Sequence, residues 1–97
     1  MICRATALRL RPAHRPRRAA LGAALLRALP GLTVGESVDG DGPEGKGWDL
    51  LLLQRGPELR ALEAQDPLLE GLLDGAVEFR KTWAFAELPP DGAPAVS

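Results

Sequence analysis

Residues 2–11, "ICRATALRLR", alternate in polarity. Ile2, Arg4, Thr6, Leu8 and Leu10 fall on one side, and Cys3, Ala5, Ala7, Arg9 and Arg11 on the other. A period of two predicts a strand with one mostly apolar face, and Pro12 ends it. Pro16 suits a first helical turn, where its missing N–H costs nothing. Leu21, Ala24, Leu25, Ala28 and Leu29 then recur at helical spacing, predicting an amphipathic helix over about 16–29 that Pro30-Gly31 stops. "LTVGESV" alternates through Leu32, Val34 and Val38 as a second strand, followed by a Gly-rich hairpin loop at 39–47. "WDLLLLQ", residues 48–54, is a continuous apolar run with flanking breakers, which predicts a strand buried on both faces. Helical spacing returns at about 57–65 and again at about 67–74, with a joint at Asp66-Pro67. Asp66 has the chemistry of an N-cap for the second of these helices, and Pro67 suits its first position. The last strand, 77–87, places Phe79, Lys81, Trp83 and Phe85 opposite Arg80, Thr82, Ala84 and Ala86.

The order is β-α-β-β-α-β. It predicts an α+β, ferredoxin-like domain over 1–87, with a four-stranded antiparallel sheet and both helices on one face. The tail, 88–97, is too rich in Pro and Gly to fold and is expected to be disordered. Apolar residues on both sides of several strands leave the second sheet face partly apolar. Such a face calls for a partner, and the expectation is a homodimer with two sheets face to face, closing an α/β barrel.

Length agrees with this. Ninety-seven residues make one domain with a small core. Charge adds an asymmetry: residues 1–35 carry seven arginines and no acid, while all thirteen acids lie from Glu36 onward. A basic, acid-free start resembles a mitochondrial transit peptide or a faint twin-arginine export signal. The strand and helix periodicity of the same segment favours a cytoplasmic domain that uses it in its fold. No apolar run approaches the ~20 residues of a membrane span. Cys3 is the only cysteine, so no internal disulfide or multi-cysteine metal site can form.

Several stretches resemble the stress-responsive dimeric A/B barrel (Dabb) family. Met1, Ile2, Arg4, Leu8 and the run Arg9-Leu10-Arg11-Pro12 resemble its first strand; "LRALPGLTVGESV" resembles the end of its first helix, the turn and the second strand. Trp48-Asp49 is similar to its aromatic-Asp third strand, "ALEAQDPLLEGLL" to the region that carries an aromatic and His-Pro-x-His, and "WAFAE" to the end of strand four. The resemblance implies a homodimer and room for a small apolar or aromatic ligand, with no cofactor. A few relatives are polyketide cyclases using a histidine and a tyrosine. A cyclase requires a general base for C–H deprotonation and a donor for the oxyanion. Residue by residue, the first-strand histidine falls at Arg4, the aromatic hydroxyl at Glu63, the His-Pro-x-His pair at Asp66 and Leu69, and a strand-four Asp at Ala84. Tyrosine is absent, and the sole histidine, His14, precedes the first helix. The resemblance therefore implies a retained scaffold without the catalytic set. Arg4, Glu63, Leu69 and Ala84 are the pocket candidates, and a cyclase- or isomerase-like enzyme with a rebuilt pocket is the alternative.

Other candidates read as structural. Asp39 to Gly45 echoes a calcium loop, but Pro43 and Leu50 occupy positions that need oxygen ligands. The arginines at 9, 11, 15, 17 and 18 have no interleaved aromatics for base stacking, so nucleic acid is not an expected partner. Cys3 lacks a neighbouring base or resolving thiol. Trp48 and Trp83 suit core or dimer contacts, and Asp49 calls for a backbone or arginine partner.

Overall fold

The computed structural model describes residues 1–38 and 47–88. The calcium-loop candidate and the expected disordered tail beyond Leu88 lie outside these residues. Strand β1 is Ile2–Leu10; a 3₁₀ segment, Pro12–Arg17, leads into helix α1, Arg18–Ala28. Strands β2, Thr33–Glu36, and β3, Leu50–Gly56, follow. Helices α2, Leu59–Glu63, and α3, Asp66–Leu73, precede β4, Val77–Ala86. The sheet order is β2-β3-β1-β4, and every pair is antiparallel. This is the α+β ferredoxin-like arrangement that the periodicity predicts.

The core lies between the sheet and the helices. Leu8 and Leu10 of β1, with Leu50 and Leu52 of β3, meet Leu25 and Leu29 of α1 and Leu69 and Leu73 of α3. Each fully buried leucine contributes about 1.5–3 kcal/mol of burial free energy. Because Cα partners in the sheet share a face, the register carries the same face from Leu8 to Leu50 and Arg80, and from Thr6 to Leu52 and Thr82. Turns are closed by Gly31 and Gly75, with φ of +90° and +75°, where any side chain would strain the backbone.

Four expectations need correction. Residues 12–17 form a 3₁₀ segment and the α-helix starts only at Arg18. Pro16, which cannot donate to an earlier carbonyl, sits inside the 3₁₀ segment, two residues before the α-helix starts. Strand β3 begins at Leu50 rather than Trp48, and only one of its faces is covered: Leu50, Leu52 and Gln54 are buried, while Leu51 is 39% exposed. Val38 lies past the end of β2 and is 95% exposed, so it takes no part in the core. Asp66 is the first residue of α3 and does not cap it; Gln65 precedes it without a side-chain cap.

The face of the sheet away from the helices carries Ala5, Ala7, Leu51, Leu53, Phe79, Trp83 and Phe85. Phe79 and Phe85 are more than half exposed. Lys81 lies 5.2 Å from the Trp83 ring centre, and Arg9 lies 6.0 Å from that of Phe79, so two cations on this face sit over aromatic rings. No helix among the described residues is long and apolar enough to cross a membrane.

Candidate functional site

Strand alternation brings Arg4, Thr6, Leu52 and Thr82 onto the helix-facing side, and the helical pair α2–α3 closes over them. The result is a cavity of about 220 Å³, to which α2 contributes Glu63 and α3 contributes Asp66, Leu69 and Leu73. Arg80 stands at its β4 side. Three of the four residues singled out from the sequence, Arg4, Glu63 and Leu69, thus line one space. Ala84 does not. It stands opposite Arg4 in the β1–β4 register, and Thr82, one alternation earlier, supplies the strand-four contribution. The helical joint is what makes the space: α2 and α3 are separate short helices, and a straight helix would lay its side chains flat along the sheet.

The Arg4 side chain is 7% exposed and almost fully committed. Its Nε donates to Gln54 Oε1 at 3.0 Å, and one terminal nitrogen donates to the Leu62 carbonyl oxygen at 3.1 Å and to Asp66 Oδ1 at 2.6 Å. The other donates to Asp66 Oδ2 at 3.3 Å. Gln54 in turn donates through Nε2 to Gln65 Oε1 at 2.5 Å. A guanidinium has five N–H groups in a fixed fork; four of them are used here. A buried charge of this kind is tolerated because it is paired and hydrogen-bonded throughout. The network fastens β1 and β3 to the α2–α3 joint.

Glu63 differs. It is exposed at the mouth of the cavity, and among the described residues it has neither a hydrogen-bond nor an ion-pair partner. Arg80 pairs with Glu70 of α3. The Thr6 and Thr82 hydroxyls are 3.4 Å apart, a long contact that leaves both with bonding capacity. The lining therefore combines leucines with hydroxyl and carboxylate acceptors from both layers.

A second polar cluster explains the arginine-rich start. Asp49, buried, accepts the Leu10 backbone N–H on Oδ2 at 2.8 Å and stands 3.4 Å from Arg15 Nε and 3.7 Å from an Arg18 terminal nitrogen. Arg18 also pairs with Glu36 at 2.6 Å, and Arg9 with Glu78 at 3.3 Å. The backbone and arginine partners expected for Asp49 are both present. The antiparallel topology brings the late acids onto the early arginines, and the charge asymmetry along the chain is largely cancelled in space. Sequence reasoning named Asp49 without a partner, because pairs thirty-odd residues apart leave no local signal.

His14 lies in the 3₁₀ segment, away from the cavity, and Trp48, Trp83 and Cys3 lie on or beside the open sheet face. Cys3 is partly buried and faces Arg55 and Phe85 across its two neighbouring strands.

No family model and no curated protein matches the chain. Solved structures do. The protein TTHA0845 from Thermus thermophilus is 28% identical, over 93% of this chain and 99% of its own, with a TM-score of 0.61. A dimeric ferredoxin-like protein of unknown function from Thermobifida fusca is 15% identical over 89% of this chain and 90% of its own, with a TM-score of 0.60. A dimeric protein of unknown function and ferredoxin-like fold from Bacteroides fragilis is 13% identical over 87% and 93%, with a TM-score of 0.58. The chain therefore has the ferredoxin-like fold over nearly its whole length, and the two ferredoxin-like proteins of Thermobifida fusca and Bacteroides fragilis are dimeric.

Proposed function

We propose that this chain is a Dabb-type domain that works as a homodimer, with its open sheet faces together, and that its interlayer cavity binds a small molecule without turning it over. One observation carries the reading of the cavity: Arg4 and Asp66, at two positions where the resembling family places histidines, are bonded to each other. Groups committed to a mutual ion pair hold the cavity open; they are poorly placed to exchange protons with a ligand. The dimer is supported by the exposed aromatic face and by the dimeric state of the similar structures. Four strands at ~4.8 Å spacing and ~8 residues in length present roughly 500 Å² before side-chain relief. That relief brings the face towards the ~800 Å² per partner of a standard interface.

Light scattering on the purified chain at tens of micromolar, an order-of-magnitude choice set by stable interfaces, should give twice the monomer mass. Leu51→Glu, at the centre of the open face, should give the monomer mass with unchanged far-ultraviolet circular dichroism. A monomeric parent chain refutes the dimer.

A second reading has a specific observation behind it: Glu63 and Arg4 share one cavity. Glu63 would take a proton from an acidic C–H, and the remaining Arg4 N–H would face the developing enolate oxygen. Deuterium exchange into acetylacetone, followed by NMR, tests it. Exchange above the buffer rate that Glu63→Gln removes favours an enzyme; exchange at the buffer rate rejects one.

A further inference from the structure

The charges around the cavity differ in what they are free to do, and this gives the ligand a sign. Both guanidiniums are engaged, Arg4 by Asp66 and Arg80 by Glu70. With Glu63, three carboxylates face two guanidiniums, and the carboxylate left over is the one at the mouth. An anionic ligand would meet guanidiniums that each already carry a carboxylate. A cationic ligand finds Glu63 unpaired, with the Thr6 and Thr82 hydroxyls as further acceptors. The edges of Leu69 and Leu73 in the lining accept hydrocarbon and offer an ammonium nothing. A volume of about 220 Å³ falls below the ~300–1,000 Å³ of drug-sized sites, so the occupant has on the order of ten non-hydrogen atoms.

We infer that the cavity between the α2–α3 pair and the sheet takes a small primary amine with an apolar body, its ammonium on Glu63 and its hydrocarbon against Leu69 and Leu73. This rests on the reading of the cavity as a ligand site and adds the ligand's charge class. The selectivity comes from the neutralisation of both guanidiniums by carboxylates, which leaves Glu63 as the lining charge without a partner among the described residues.

Three probes of matched size separate the terms: benzylamine, neutral benzyl alcohol and anionic benzoate, each titrated to ~10 mM into the full-length, isotope-labelled chain and followed by amide NMR. An affinity in the millimolar range is expected for fragments this small. Benzylamine should shift the amides around Leu52, Leu62 to Asp66, Leu69 and Leu73. It should bind about fivefold more tightly than benzyl alcohol, as suits a charge-assisted bond at an exposed carboxylate. Benzoate should be weakest. Glu63→Gln should remove the advantage of the amine and leave the alcohol unchanged. Equal binding of amine and alcohol, preference for benzoate, or an amine advantage that survives Glu63→Gln overturns the charge class and leaves the cavity as a binding site. If none of the three probes shifts these amides, the inference and the ligand-binding reading both fall.

Discussion

Arg4 of the first strand and Asp66, sixty-two residues later at the start of α3, meet at 2.6 Å. The arginine is buried, whereas the aspartate side chain is 46% exposed. The two partners are therefore unequal. Asp66 can be rehydrated if the pair breaks, but Arg4 and Gln54 are buried and reach little water.

That inequality predicts unequal mutational costs. Arg4→Ala strands the Gln54 amide oxygen, leaves the Leu62 carbonyl with only its bond from the Gln65 N–H and leaves a space under the joint; it should lower the unfolding free energy by about 2–4 kcal/mol. Asp66→Asn keeps an oxygen acceptor and should cost roughly 1–2 kcal/mol, since the buried guanidinium loses its countercharge but keeps hydrogen bonds. Urea unfolding of both single variants and the double variant checks this. The double variant should be less destabilised than the sum of the singles, because the two residues act as one unit.

Asp49 makes a parallel case at the other end of the sheet. Its carboxylate combines a hydrogen bond from the Leu10 N–H with ion pairs to Arg15 and Arg18. Asp49→Asn should preserve an acceptor for Leu10 and lose the ionic part, about 1 kcal/mol. Asp49→Ala leaves a buried N–H unsatisfied and should cost about 2–3 kcal/mol. Equal thermal midpoints for the two variants would assign the whole effect to charge.

At the margin of the open sheet face, Arg55 Nε lies 2.7 Å from Glu87 Oε1. The hydrogen bond from Arg55 holds the Glu87 carboxyl below the ordinary glutamate value of 4.5, and Glu87 raises the Arg55 guanidinium in return. A depressed carboxyl contributes stability that is present above its unfolded value and is lost as pH falls through its folded value. Stability should therefore decline with acid from about pH 4.5 downward, and Glu87→Gln should flatten that part of the profile. The raised arginine keeps its charge throughout the accessible range. Because the pair lies at the exposed surface, ~1 M salt should suppress most of the difference between parent and variant.

Gly71 lies inside α3 with nothing within 4 Å of where a Cβ would stand. Gly71→Ala removes backbone freedom from the unfolded chain without a clash, and should stabilise the protein by about 0.5–1 kcal/mol in urea unfolding. No change, or a loss, would mean that α3 is not helical at this position in solution.

Much of this molecule is written in local pattern. Alternation in "ICRATALRLR" determined which side of β1 meets the helices, since a strand has a period of two and one slip would turn Leu8 and Leu10 outward. Helical spacing placed α1, and Asp66-Pro67 marked the joint. The order of elements then left little choice of fold. What the pattern could not settle was anything that depends on distant partners. "LLLL" is equally apolar at every position, so only the sheet decided that Leu50 and Leu52 are covered while Leu51 faces out. Asp66 has the chemistry of a cap, yet Arg4, invisible at sixty-two residues' distance, claims both its oxygens. Glu63 is a pocket candidate in the sequence, but its lack of a partner among the described residues emerges only because the neighbouring charges pair with one another. Local sequence carries periodicity and turn chemistry; the pairing of charges, and with it the character of the cavity, is decided by which strands and helices the fold brings within hydrogen-bonding reach.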